Sequence, residues 1–283
     1  MQLQSEQFHE QTIRDLEHEI DKLKAENLQL QQQLAQKEQF TAMIAHDLRG
    51  PLAPIINYAQ MLARNNLISK DGSTLDQRQM EKKNASIQRG TRIIVSQAKR
   101  MSRLVNDLLD ASHLSSGSFK LLREPCDIVQ LVNEMVEQLR PVAPHHTLTV
   151  IAPDGPLLGD WDSGRLQQAL GNLLDNAIKY SDEQTTITVA IATKSDKVLV
   201  SVHNQGVSIP STEVGQLFRP FSRLTAANMS SRQGSGLGLY ITKSIINEHG
   251  GVLRLESYDE EGGEEDQKGT TFTFELPLLQ KEG

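Results

Sequence analysis

Three short stretches of this sequence carry residue types that do chemistry. Residues 40–52 read F-T-A-M-I-A-H-D-L-R-G-P-L and set one histidine, His46, beside one acid, Asp47. Residues 172–181 read N-L-L-D-N-A-I-K-Y-S; Asn172 and Asn176 stand one helical turn apart and so share a face of a helix. Residues 234–239 read G-S-G-L-G-L, where Gly234, Gly236 and Gly238 let backbone N–H groups approach a phosphate at the N-terminus of the helix that follows. A histidine nucleophile in one segment and a nucleotide cradle in another, in this order, imply phosphoryl transfer from a nucleotide to an imidazole. His113, His145, His146, His203 and His249 lack such a context and read as structural or surface groups.

These groups need elements to position them. Ile13, Ile20, Asn27 and Leu34 recur every seventh residue, with Leu16, Leu23 and Leu30 in the second register. That is the seam of a parallel two-stranded coiled coil, with a buried amide at Asn27 setting register and strand number at some cost in stability. No Gly or Pro interrupts residues 1–49, so the coil is expected to run into the His46 helix. The apolar pattern resumes after Gly50-Pro51, which predicts a kink and not a stop, with Pro54 as a second proline. Residues 65–76 read as a loop and Leu75 to Ser115 as a second helix. Two amphipathic helices per chain cannot bury both faces alone, and a dimer would make a four-helix bundle. Beyond Ser115, S-S-G-S reads as a hinge that Arg123-Glu124-Pro125 closes.

Residues 126–283 then alternate. Helices are expected at Ile128–Gln138, Asp162–Tyr180 and Gly238–His249. The last of these ends at Gly250-Gly251, a C-cap signature. Strands are expected at Thr147–Ile151, Thr186–Ala192, Val198–His203, Val252–Ser257 and Thr270–Leu276. The fold class is α+β: a coiled coil and helical bundle, then one mixed sheet with helices on one face. The expected divisions are a coil at 1–39, a helical hairpin at 40–115, a hinge at 116–125 and a sandwich domain at 126–283.

Composition narrows the function classes. A net charge of −7 argues against nucleic acid as a partner, since phosphate backbones call for clustered Lys and Arg. The single cysteine, Cys126, excludes an intramolecular disulfide and a cysteine-based zinc cluster. No apolar run reaches the ~20 residues of a membrane span. The expected location is the cytoplasm, either free or as the cytoplasmic part of a longer membrane-bound sensor.

The motifs together resemble those of sensor histidine kinases, over residues 38–280. A-H-D-L-R-G-P-L is similar to the family's phosphoacceptor box and N-L-L-D-N-A-I-K-Y-S to its N-box. N-Q-G-V-S-I-P stands at the G1 box, L-F-R-P-F-S-R at the F-box and G-S-G-L-G-L at the G2 box, and K-G-T-T-F-T-F-E-L-P is similar to the closing hairpin. The resemblance implies a dimerisation and phosphoacceptor hairpin of the HisKA type and a Bergerat-type ATP-binding domain. It also implies a homodimer, a response regulator receiver domain as partner, and an upstream sensor domain. His46 would attack the γ-phosphate through Nε2 while Asp47 accepts from Nδ1–H. Asn176 would be the main Mg²⁺ ligand, with Asn172 supporting it. Gly206 belongs to the G1 box and Leu237 to the G2 turn.

Other contacts follow from position. Lys179 could reach a phosphate or stand as a solvated charge; Tyr180 could stack on adenine or pack in the core. Residues 211–233 read as a polar lid, which Phe218 and Phe221 could pin and whose Arg223 could contact the γ-phosphate or the Asp47 helix. Thr270 is expected to line the base pocket near Asn204.

Three positions depart from the family pattern: Asn204, Gly50, and Ser208, which replaces a glycine of the G1 box and restricts that loop if φ is positive there. Asn204 stands where the G1 box carries an aspartate that accepts from the adenine amino group; a neutral amide accepts about half as strongly. Gly50 stands where a Thr, Asn or Gln would hold the water that dephosphorylates the regulator. The rival to an active kinase is a nonenzymatic dimeric scaffold with weakened ATP binding. A gyrase-like ATPase is disfavoured, because the amide Asn172 replaces that family's glutamate base.

Overall fold

A computed structural model of the chain describes residues 2–67, 77–116, 118–206, 208–220, 222, 236–258 and 268–279. The chain divides into two compact units, Met1–Ser102 and Arg103–Gly283.

The first unit is helical. Helix α1 (Gln2–Leu67) runs without a break through the coil region and past both prolines, Pro51 and Pro54. The expected continuity is therefore observed. A proline lacks the N–H that would bond four residues back, so the carbonyls of Asp47 and Gly50 lose their helical donors. Leu16, Ile20, Leu23 and Leu30 are exposed along the single chain. The side chains of Ile13 and Leu34 lie outside the described residues. Helix α2 (Gln77–Ser115) begins past the segment read as a loop; residues 68–76 lie outside the described residues, and Asn65–Leu67 are still helical. Gly90 is buried where α2 meets Met61 and Leu62 of α1, which closes a hairpin.

The second unit takes the end of α2 and the rest of the chain. Its elements after α2 are β1 (Glu124–Asp127), α3 (Ile128–Leu139), β2 (Thr147–Ile151), β3 (Leu158–Trp161), α4 (Ser163–Tyr180), β4 (Thr186–Lys194), β5 (Lys197–Asn204), α5 (Ser211–Leu217), α6 (Gly238–Glu248), β6 (Val252–Tyr258) and β7 (Gly269–Pro277). Five strands form a sheet in the order β2-β4-β5-β7-β6. Only β2–β4 is parallel, so the sheet is mixed as expected. Every second residue of β5 (Val198, Val200, Val202, Asn204) is buried beneath the helices. The opposite face is half-exposed and laced by hydroxyls, with Ser201 2.8 Å from Thr273 and His203 Nδ1 2.9 Å from Thr271. Leu166, Leu170, Leu173 and Leu174 of α4 and Ile241, Ile245 and Ile246 of α6 complete the core with Trp161 and Phe274.

Three features differ from the sequence reading. Glu124–Asp127 is a strand, paired antiparallel with Leu158–Trp161, where the sequence suggested the close of a hinge. Its pairing is set by the fully buried Trp161, whose ring fills the space a side chain at Gly159 would need. Ser211–Leu217, read as part of a lid, is a short helix whose Leu217 is buried. Helix α4 starts at Ser163, because Asp162 is its N-cap and accepts from Arg165 N–H at 3.0 Å.

Candidate active site

The phosphoacceptor candidate lies on α1. His46 Nδ1 is 3.2 Å from Asp47 Oδ1; the imidazole side chain is 81% exposed and the carboxylate 17%. The acid is thus held close to the helix while the ring reaches solvent. Gly50, one turn on, is exposed, and a Cβ there would meet nothing within 4 Å.

The nucleotide candidate is built on α4 and the two loops beside it. Asn172 and Asn176 lie half-buried on α4, one turn apart. Asn172 Nδ2 donates to Gly238 O at 3.2 Å and Thr242 Oγ1 at 3.4 Å, which ties α4 to the first turn of α6. Its NH₂ is committed to the protein, so its carbonyl oxygen is the atom suited to an oxygen-preferring metal such as Mg²⁺. Among the described residues no cluster of His, Cys, Asp and Glu could hold a metal unaided. Lys179 Nζ lies 3.0 Å from the Tyr180 hydroxyl and 4.7 Å from its ring centroid at the end of α4.

The end of α4 is stitched to the end of β5. Ser181 pairs in a bridge with Gly206, and Asp182 N–H donates to Gln205 O at 2.8 Å. A Cβ on Gly206 would stand 2.1 Å from Tyr180 O, so only glycine permits this approach. Asn204 is 4% exposed and stands opposite Thr270 across β5–β7. Asn204 Nδ2 and Ser181 Oγ are both buried without a hydrogen-bond partner. Buried polar atoms are nearly always paired in native proteins, so two orphans at one stitched corner fit a ligand with polar edges, as a nucleobase has.

On the other side, Gly236 has φ +68°, a left-handed value that favours glycine, and Gly238 opens α6 against the Asn172 side chain. Leu237 is buried beneath that turn. Phe218 packs on the core and carries Lys243 Nζ 5.1 Å from its ring centroid. Gly234, Arg223, Phe221 and Val207 lie outside the described residues.

Sequence reasoning missed several contributors. Ser181 closed the N-box motif, which was its only signal. Asp110 of α2 is 7% exposed and bonds Arg165 Nη1 at 2.8 Å and Gln168 Nε2 at 2.7 Å, which fastens the last turns of α2 to α4. His249, given no functional role by the sequence, is fully buried; its Nε2 accepts from Asp162 N–H at 2.9 Å and its Nδ1 lies 2.8 Å from Ile245 O.

Comparison with known proteins adds to this geometry. Residues 36–117 match the His Kinase A (phospho-acceptor) domain, and residues 161–280 match the histidine kinase-, DNA gyrase B- and HSP90-like ATPase domain. The chain is 30% identical over 250 residues to sensor histidine kinase WalK of Bacillus subtilis, covering 87% of this chain and 38% of that protein. It is 28% identical over 269 residues to sensor protein SrrB of Staphylococcus aureus, covering 94% of this chain and 40% of that one. The chain thus spans about two fifths of the length of these relatives. Among solved structures, the Acinetobacter baumannii histidine kinase AdeS shares the fold at a TM-score of 0.55 and 19% identity, over 83% of this chain and 98% of that one. Histidine kinase ThkA, solved in complex with response regulator TrrA, matches at 0.55 and 24%, over 84% of this chain and 61% of that one.

Proposed function

We infer that this chain, which belongs to the two-component sensor histidine kinase family, is an ATP-dependent protein-histidine kinase. It phosphorylates His46 and hands the phosphoryl group to an aspartate of a response regulator receiver domain. The observation that carries this reading is the His46–Asp47 pair at 3.2 Å, with its ring in solvent.

Nδ1–H donated to Asp47 leaves the Nε2 lone pair as the nucleophile. Nε2 attacks the γ-phosphorus of ATP; the N–P bond forms as the bond to the β–γ bridging oxygen breaks, and ADP leaves. Asp47 offsets the positive charge that develops on the ring. In the second step a receiver carboxylate oxygen displaces Nε2 at phosphorus, and the imidazole returns to its neutral form.

Asn176, with Asn172 beside it, would hold Mg²⁺ through amide oxygens, and the bound ion would offset phosphate charge. Lys179, Arg223 and the Gly234–Gly238 turn would serve the phosphates, while Tyr180, Asn204, Gly206 and Thr270 would bound the base. An amide at Asn172 cannot take a proton from water, which spares ATP for His46. The chain works as a homodimer whose Ile/Leu seam carries an upstream sensor's signal along α1 to His46. Since that chemistry draws on ATP, it belongs on the cytoplasmic side; among the described residues no helix is long and apolar enough to cross a membrane.

The test is incubation with radiolabelled ATP and Mg²⁺. Label that is acid-labile and alkali-stable is expected, lost in His46→Gln while nucleotide binding persists. Acid-labile label that survives in His46→Gln would overturn the assignment. A protein that neither labels nor binds ATP would be the scaffold.

A further inference from the structure

We propose that the base pocket of this chain takes 6-oxopurine as well as 6-aminopurine nucleotides, with Asn204 as the residue that sets this breadth. The proposal rests on the nucleotide-binding reading above and names its substrate class. Asn204 is the last residue of β5, and its backbone is held on both sides, opposite Ile187 of β4 and Thr270 of β7. The backbone beyond it is equally confined, since a Cβ on Gly269 would stand 2.0 Å from Asn204 O. The side chain therefore has a fixed root, and its terminal amide can turn about the Cβ–Cγ bond.

At 4% exposure its Nδ2 has no partner, and neither does Ser181 Oγ, also 4% exposed, on the chain that Gly206 bridges to. These two groups share a property. An amide presents NH₂ or C=O according to which way it is turned, and a hydroxyl donates or accepts. Adenine offers an amino donor at its 6-position and guanine a carbonyl acceptor. A carboxylate at position 204 could pair only with the amino group and would repel the carbonyl. Asn204 can pair with either, and the atom left without a partner is its donor, Nδ2, the kind of group that a 6-oxo purine needs. A site rejects an analogue strongly when the group facing it is left unpaired, and the amide of Asn204 has a group to offer to either purine.

The experiment is calorimetric titration of the whole chain, in Mg²⁺, with ADP, GDP and CDP, repeated on Asn204→Asp. ADP and GDP are expected to bind within about tenfold of each other, with CDP weaker than both. Asn204→Asp is expected to move the ratio toward ADP by more than about tenfold, since a charged acceptor both strengthens the amino contact and repels the carbonyl. A wild-type preference for ADP of about a hundredfold or more would overturn the proposal and leave the kinase reading standing. So would a ratio that Asn204→Asp leaves unchanged, or CDP binding as well as the purines. Failure of both purines to bind would instead overturn the nucleotide reading itself. Should Asn204→Asp not fold, the wild-type ratio decides alone.

Discussion

At the scale of single residues, the nucleotide corner depends on what is missing from a side chain. Gly206 lets Tyr180 O come where a methyl group would stand 2.1 Å away. Gly206→Ala must therefore open the Ser181–Gly206 bridge or push α4 from β5. The expected cost is about 2 kcal/mol, typical of forcing one carbon into a packed site. It should appear as a lower urea midpoint for the second unit, together with weaker nucleotide binding. An unchanged midpoint would mean that the bridge does not hold the corner. Cys126 illustrates the opposite case, a residue whose chemistry is suppressed. Burial, with Asp127, Glu124 and Glu134 nearby, pushes its thiol up, so it stays protonated and inert.

At the scale of elements, α1 joins two tasks in one continuous rod. Its N-terminal half presents Leu16, Ile20, Leu23 and Leu30 to solvent in a single chain. A second strand laid along such a row would bury it, which is the ground of the dimer proposal. Asn27, exposed within that row, would face its own copy across the seam. Asn27→Leu is expected to raise the melting temperature and to admit larger oligomers in sedimentation, since a buried amide trades stability for a single register. A wild-type monomer in sedimentation, or a lower melting temperature in the variant, would count against the seam. The C-terminal half of α1 carries His46 four residues before Gly50-Pro51.

At the scale of the whole second unit, His249 is a joint. It links the end of α6 to the start of α4 through Asp162, which also receives Leu122 N–H at 2.8 Å and Arg165 N–H. Protonating His249 would cost the bond from Asp162 N–H. Its pKa is lowered from 6.5, by desolvation first and by Arg123 in part, against opposing pulls from Ile245 O, Asp162 and Glu248. The unfolded state therefore binds the proton more readily than the folded one. Stability should be full above pH 6.5 and fall as the pH drops through and below it. His203, lowered by burial alone, acts in the same sense. Urea midpoints measured from pH 7.5 down to about pH 5 should show this decline, shallower in His249→Gln, where only His203 of the two remains. An identical slope in the variant would remove His249 as the cause.

The sequence by itself determined what is local or periodic. Helix α4 matches its reading to within a residue, as does α6. The β4, β5, β6 and β7 strands were each present within a few residues, because apolar spacing and glycine punctuation are written along the chain. His46 beside Asp47, and Asn172 one turn from Asn176, needed only a helix to acquire their relation. Tertiary structure alone decided the rest. Asp110 meets Arg165 and Gln168 across 55 and 58 residues, and His249 meets Asp162 across 87. The Glu124–Asp127 strand exists only because Leu158–Trp161 lies beside it, and its four residues have too little pattern to announce themselves. The orphaned amide of Asn204 likewise became visible only when β5 was seated between β4 and β7 and its last side chain was shut away from water. A residue's type is local, but whether its polar atoms find partners depends on segments that folding brings together.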